Sequence, residues 1–166
     1  NGLFIFESPL SNEVLEWVAC SPIAPLKPSL TAGALVGTII LNWDNVSENS
    51  IDGLTGLQDF EGYRLFRSID GGETWGNEED MIYDSTEDHV GWKPYVQFDY
   101  TYDEDTLLYG YDISGADPLA PWIDLGSNTG IKHSLTDLDV YPYAEYCYVI
   151  TAYDTGIPPG YISDDG

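Results

Sequence analysis

Positive charge is the scarcest property of this chain: its 166 residues carry only 5 Lys+Arg against 29 Asp+Glu, a formal net charge of −24 at pH 7. Binding to nucleic acid is driven by Lys and Arg clusters that neutralise phosphates, so nucleic acid and anionic membrane surfaces are poor partners for it. Long apolar runs are missing too. With no window of about 18 or more apolar residues, membrane insertion is not expected. Cysteine is nearly absent: Cys20 and Cys147 are too few for a disulfide scaffold and wrongly spaced for zinc, leaving one disulfide or two unpaired thiols as open alternatives. Histidine is equally sparse. His89 and His133 stand in no motif, and the chain has no G-x-S-x-G, no H-E-x-x-H and no phosphate-cradling glycine loop. A nucleophile would have no evident base to activate it, and no enzymatic activity is expected. The chain opens at Asn1 without a methionine or a basic n-region, which suggests a removed signal peptide or a piece of a longer protein.

What is present points to a folded domain. Apolar residues make up 43% of the chain and aromatics 14%, far more than an acidic disordered chain holds. The 17 Gly and 10 Pro are scattered throughout, and no stretch sustains a long 3.6-residue apolar period, so the pattern is all-β. Residues 11–20 (SNEVLEWVAC) are the one short helical candidate, with Ser11 or Asn12 as cap and Val14, Leu15, Trp17 and Val18 on one face. Three prolines between Ser21 and Ser29 predict an extended linker. Residues 1–24 thus read as an N-terminal arm and linker, and residues 25–166 as the domain. Within it, Thr38 to Trp43 alternates with Ile39, Leu41 and Trp43 on one face. Phe60 to Ser68 places Tyr63 and Leu65 on one face, Arg64 and Phe66 on the other, and ends at the Asp70-Gly71-Gly72 turn. Ile131 to Leu138 reads as a further strand. In Tyr146 to Tyr153 the residues Tyr146, Tyr148, Ile150 and Ala152 point inward, and Cys147, Val149 and Thr151 outward. Between Gly76 and Gly130 lies a different composition, 13 acidic residues and nine aromatics against one cation, Lys93. A structureless loop of that length is unusual, so this insertion is expected to carry added strands, such as Tyr95 to Tyr102, or to pack as a lobe.

The strings Gly37 to Trp43, DFEGYRLFRSIDGGETWG from Asp59 and AEYCYVITAYDTG from Ala144 resemble a fibronectin type III domain of the kind found in secreted and surface proteins of environmental bacteria. Trp43, Tyr63 and Tyr146 match the family's core aromatics of the second, third and sixth strands, and Val140 stands where a Leu usually precedes the corner. The resemblance covers roughly residues 25–75 and 130–160. It implies an immunoglobulin-like sandwich in an extracellular structural or adhesion module. Two departures matter: the acidic-aromatic insertion inherits no function from the family, and the tail after Tyr153, with Pro158-Pro159, is poor material for a seventh strand. A sandwich without its last strand would expose the edge of its sixth and leave a core groove. The apolar segment Leu3, Phe4, Ile5 and Phe6 could fill it by donor-strand exchange from residues 2–8 of another copy, with Tyr146, Tyr148 and Ile150 receiving it in a head-to-tail fibre. The alternative is an excerpt of a longer chain that completes the sheet itself.

Two ligand classes fit the composition. Calcium takes six to eight oxygens, and clustered carboxylates tolerate one another around it. The candidates are Asp44, Glu48, Asp52, Asp59 and Glu61 around the loop between the second and third strands, and Asp99, Asp103, Glu104 and Asp105 in the insertion, set against a plain acidic surface with no cofactor. No stretch matches an EF-hand loop. Carbohydrate-binding modules stack exposed rings on sugar faces, and the insertion offers Trp92, Tyr95, Tyr100, Tyr102, Tyr109, Tyr111 and Trp122. The same rings could build the insertion's own core, which ranks first, or an interface with neighbouring domains or identical subunits, which ranks second. The expectation is a non-catalytic extracellular structural or adhesion module, with a carbohydrate-binding module of a larger secreted protein as the alternative.

Overall fold

The computed structural model describes residues 3–7, 14–18, 24–52, 56–118 and 120–155. Strands β1 (Leu3–Glu7) and β2 (Val14–Val18) form an antiparallel hairpin in which Leu3 stands opposite Val18 and Glu7 opposite Val14. The helix expected over residues 11–20 is therefore corrected to a strand over its described part. A short isolated helix bears a costly nucleus, whereas β-branched and aromatic residues such as Val14, Trp17 and Val18 suit a pleated ladder.

Two three-stranded antiparallel sheets follow. β3 (Leu30–Leu35), β4 (Thr38–Trp43) and β5 (Phe60–Ser68) come first in the chain, and the turn between β3 and β4 uses Gly37 at φ +69°. The insertion contributes β6 (Met81–Tyr83), β7 (His89–Trp92), β8 (Val96–Asp99) and the α-helix α1 (Tyr102–Tyr109). β9 (Ser134–Asp137) and β10 (Cys147–Asp154) complete the described strands. One sheet has the order β3-β4-β9 and the other β10-β5-β8, while β6 and β7 pair as a separate hairpin. Leu41 and Trp43 of the first sheet meet Tyr63, Leu65, Phe98 and Ile150 of the second, all of them buried. Trp43 stacks on Phe98 at 5.7 Å between ring centroids and meets the edge of Tyr63 at 6.0 Å. The expected faces of β4 hold, and so do three members of the inward row of β10, where Tyr148 and Ala152 pack against the core beside Ile150; Tyr146, expected inward as well, precedes the strand and stands outside that cluster. The strand expected from Ile131 to Leu138 is shorter, Ser134–Asp137.

The insertion is no detached lobe. β8 joins the main sheet, with Gly62 opposite Asp99 and Leu65 opposite Val96. The extended reading of Tyr95 to Tyr102 holds only for Val96–Asp99, because Tyr102 opens α1. That helix starts at a capping box: Glu104 donates its backbone N–H to Thr101 Oγ1, and Thr101 donates its own to the Glu104 carboxylate at 2.9 Å. It ends at Gly110, left-handed at φ +84°.

Pairing between β10 and β5 slips near its end, where Tyr153 faces Gly62 but Asp154 faces Phe60. Glu61 is thus the extra residue of a β-bulge, a device that re-aims side chains. Phe60 returns to the core side and packs against Tyr63 at 4.9 Å and Tyr100 at 5.7 Å, although strict alternation would separate Phe60 from Tyr63. At the other end of β5, Arg67 ties the sheets together. Its guanidinium donates to Asp137 of β9 at 3.0 Å and to Asp139, lies over the Tyr95 ring, and Asp137 also accepts the hydroxyls of Tyr95 and Tyr148. Burial raises the pKa of Asp137, but hydrogen bonds from Tyr148, the Asp139 N–H, Arg67 and Tyr95 outweigh it and hold the carboxyl below its usual 3.8. A carboxylate depressed in the folded state contributes stability above its unfolded pKa and loses it as pH falls. Asp137→Asn is expected to lower stability at pH 7 by roughly 2–4 kcal/mol. In urea titrations the difference from the wild type should shrink as pH falls below that of an ordinary aspartate.

Candidate functional site

The outer face of the β10-β5-β8 sheet forms the floor of a cleft of about 810 Å³, with Arg64, Phe66, Gln97 and Val149 directed into it. Alternation requires this, since Tyr63 and Leu65 occupy the core face of β5. The β6–β7 hairpin supplies one wall through Ile82, Val90 and Trp92, and Trp75, Tyr95 and Trp122 add aromatic surface. Trp75, Trp92 and Trp122 are each half-buried, so part of every indole stays open to the cleft. The polar groups are anchored. Arg64 donates to the Asp124 carbonyl and lies 3.9 Å over the ring of Tyr153, whose hydroxyl accepts from Gln97 at 2.8 Å and donates to the Leu125 carbonyl at 2.6 Å. Lys93 reaches the Glu79 carbonyl at 2.8 Å. The Arg64, Gln97 and Tyr153 contacts tie Asp124 and Leu125 to the sheet.

The aromatics expected to act together separate into different surroundings. Trp92, Tyr95 and Trp122 line the cleft. Tyr100 packs against Phe60 at the margin of the core and, together with Tyr109 and Tyr111, lines a smaller pocket with Leu57 and Leu108, while Tyr102 stands exposed on α1. Trp75, Arg64 and Gln97 join the cleft without being among the expected site residues. Trp75 lies just before the acidic segment, in the string that carries the fibronectin resemblance, and outward parity on β5 was the available signal for Arg64.

The acidic candidates also divide. Asp44 accepts the N–H groups of Ser29 and Val46 in a turn, and Glu48 accepts the Tyr63 hydroxyl at 3.0 Å and contacts His133. Asp52 is buried, and Asp103 stands exposed on α1 beside Glu104, which serves its cap. Burial, with Asp154 and Asp52 nearby, raises Asp59 to about 6. Glu61, Asp99 and Asp105 are fully buried. Asp99 is well satisfied by the N–H groups of Asn128 and Thr129 and the Thr129 hydroxyl. Glu61 has no donor among its neighbours, and burial, the charges of Asp105 and Asp99 and a carboxyl–carboxylate hydrogen bond to Asp105 push it up to about 10.

Among the described residues neither histidine hydrogen-bonds a Ser, Thr or Cys. His89 sits between Tyr83 and Trp92, and His133 between Tyr63 and Glu48. Cys147 is a free, half-buried thiol on β10, and Cys20 lies outside the described residues, as do the side chains of Leu3, Phe4, Ile5 and Phe6. Tyr148 and Ile150 are engaged in the core, so the groove expected along β10 is filled at those positions, and Tyr146 accepts the Tyr141 N–H. What β10 leaves open is backbone: among the described residues its one partner is β5. No described helix is long and apolar enough to cross a membrane.

Because the folded state holds a proton on Glu61 that the unfolded state releases near 4.5, folding binds protons between that value and about 10. In chelator, stability should therefore fall as pH rises through this window. Glu61→Gln should flatten the decline in urea titrations run at pH 5 and pH 9. Compared with protein-family models, with curated proteins and with solved structures, the chain gives no significant match.

Proposed function

We propose that this chain is a non-catalytic extracellular adhesion module, a sandwich of fibronectin type III type that binds carbohydrate in its tryptophan-lined cleft. The cleft carries the reading: three indoles and a tyrosine share it with Arg64, Gln97 and Asp124. Ring faces stack on the apolar faces of pyranoses while fixed polar groups orient the hydroxyls, and the volume lies within the range of small-ligand sites. With a net charge of −24, neutral glycans fit better than polyanionic ones. The fibronectin assignment draws support from strand order. Leaving out the two hairpins, the first, second and fifth strands share one sheet and the third and sixth the other, as in immunoglobulin-like sandwiches. Retardation of the wild type in gels containing neutral polysaccharides is the expected outcome, with Trp92→Ala and Trp122→Ala each reducing it about tenfold or more and leaving the melting temperature within a few degrees. Uniform failure to be retarded by any polysaccharide discards the reading.

A second reading, a fibre subunit, is favoured by the eight-residue edge of β10, which carries no Lys, Arg or Pro to block strand addition. The occupant would be β1 of a second copy, since a two-stranded hairpin is marginal alone and β1 has β2 as its one described partner. Salt should promote assembly of so acidic a chain by screening repulsion. Light scattering at low and high ionic strength, with and without residues 1–18, checks this; assembly that persists after the deletion sinks it.

A further inference from the structure

The end of the sandwich where β5, β8 and α1 meet poses an electrostatic problem. Glu61, Asp99 and Asp105 are each fully buried there, and Asp112 lies close enough to raise the proton affinity of both Glu61 and Asp105. The bulge at Glu61 turns its carboxylate away from the core side taken by Phe60, and the Gly62–Asp99 pairing brings β8 and then α1 alongside. Both Glu61 oxygens, Asp105 Oδ1 and Asn128 Oδ1 are buried with no donor to match them, and Glu61 and Asp105 lie close enough to bond each other through a shared proton. Buried polar oxygens left unmatched are rare, and four in one neighbourhood call for a ligand.

Three things could relieve it. A cationic side chain does not: all five Lys and Arg lie among the described residues, and the two ion pairs they form there, both from Arg67, run to Asp137 and Asp139 rather than to these acids. A proton shared by Glu61 and Asp105 would neutralise one charge but leave the other orphan oxygens unmatched. A divalent cation would satisfy all of them, and the donor set selects its kind. Every orphan is a hard oxygen, which suits calcium rather than zinc. The surrounding residues hold the donors in position. Asn128, left-handed at φ +60°, gives its backbone N–H to Asp99 and its amide Nδ2 to Asp112 at 2.9 Å, which turns Oδ1 away from both. Asp105 Oδ2 is fixed by the Ile113 N–H at 3.0 Å, leaving Oδ1 unpartnered.

We propose that Glu61, Asp105 and Asn128 form a buried calcium site that locks α1 and the 126–129 turn onto the β5–β8 edge. Among the described residues no three Asp, Glu, His or Cys side chains stand ready to chelate one ion. The shell therefore has two carboxylates and one amide oxygen, with Asp99 kept outside it by its own three donors and backbone carbonyls or waters supplying the remaining ligands. This site is separate from the cleft and does not rest on the carbohydrate reading. It unites Glu61 with Asp105, which lie far apart in sequence, and leaves out Asp44, Glu48, Asp52, Asp59 and Asp103.

The test uses the full chain stripped with chelator and then given calcium chloride. At about a hundredfold excess over Kd the melting temperature should rise by roughly 5–10 °C. Glu61→Gln and Asp105→Asn should each abolish that rise, while Asp103→Asn, an exposed acid on the same helix, keeps it. Should either site variant fail to fold, terbium luminescence of the wild type decides. Terbium should be sensitised through Tyr109, whose hydroxyl bonds the Phe60 carbonyl next to Glu61, and calcium should displace it. An unchanged melting temperature in calcium and chelator overturns the proposal, as does a calcium response that survives in folded Glu61→Gln or terbium that calcium does not compete away.

Discussion

The contact of Trp43 with Phe98 and Tyr63 is the constraint on which the rest of this fold depends. It joins β4 of one sheet to β5 and β8 of the other, so the two layers close around a single aromatic cluster. Once the core side of β5 is committed to Tyr63 and Leu65, its opposite side must present Arg64 and Phe66, and these become the floor of the cleft. The same closure brings Arg67 and Asp137 together across the layers. One packing event thus creates the core, the cleft and the ionic tie.

A chain this acidic has to accommodate carboxylates as well as exclude partners, and it does so in three ways. Asp137 is matched by a guanidinium and tyrosine hydroxyls, which keep it ionised. Asp99 is matched by backbone and threonine donors at a tight turn. Glu61 has no such donors, and its proton affinity rises instead. Burial raises the proton affinity of Asp137 and Glu61 alike, so the surrounding donors and charges decide the outcome.

Strands β4, β5 and β10 were legible because period-two alternation is a local property, and the faces of Ile39, Leu41, Trp43, Tyr63 and Ile150 followed from it. Helix α1 is not legible from periodicity, because its eight residues, YDEDTLLY, carry no apolar stripe, and what defines it is the Thr101–Glu104 cap, set among aromatics that suit a strand equally well. Val14–Val18 failed in the opposite direction. Its apolar residues satisfied a helical face equally well, and pairing with Leu3–Glu7 made it a strand.

Composition and alternation determined, by themselves, an all-β chain of alternating apolar strands with an acidic, aromatic insertion, since solvent exposure and side-chain parity act residue by residue. Only the tertiary structure decided which of seven insertion aromatics share a cleft, because that depends on how β6–β7 and the 122–125 segment fold over the sheet. It likewise decided that Glu61 and Asp105 meet. A single bulge residue reverses the parity of Phe60 and Glu61, and pairing between β5 and β8 spans a separation over which sequence pattern carries no information.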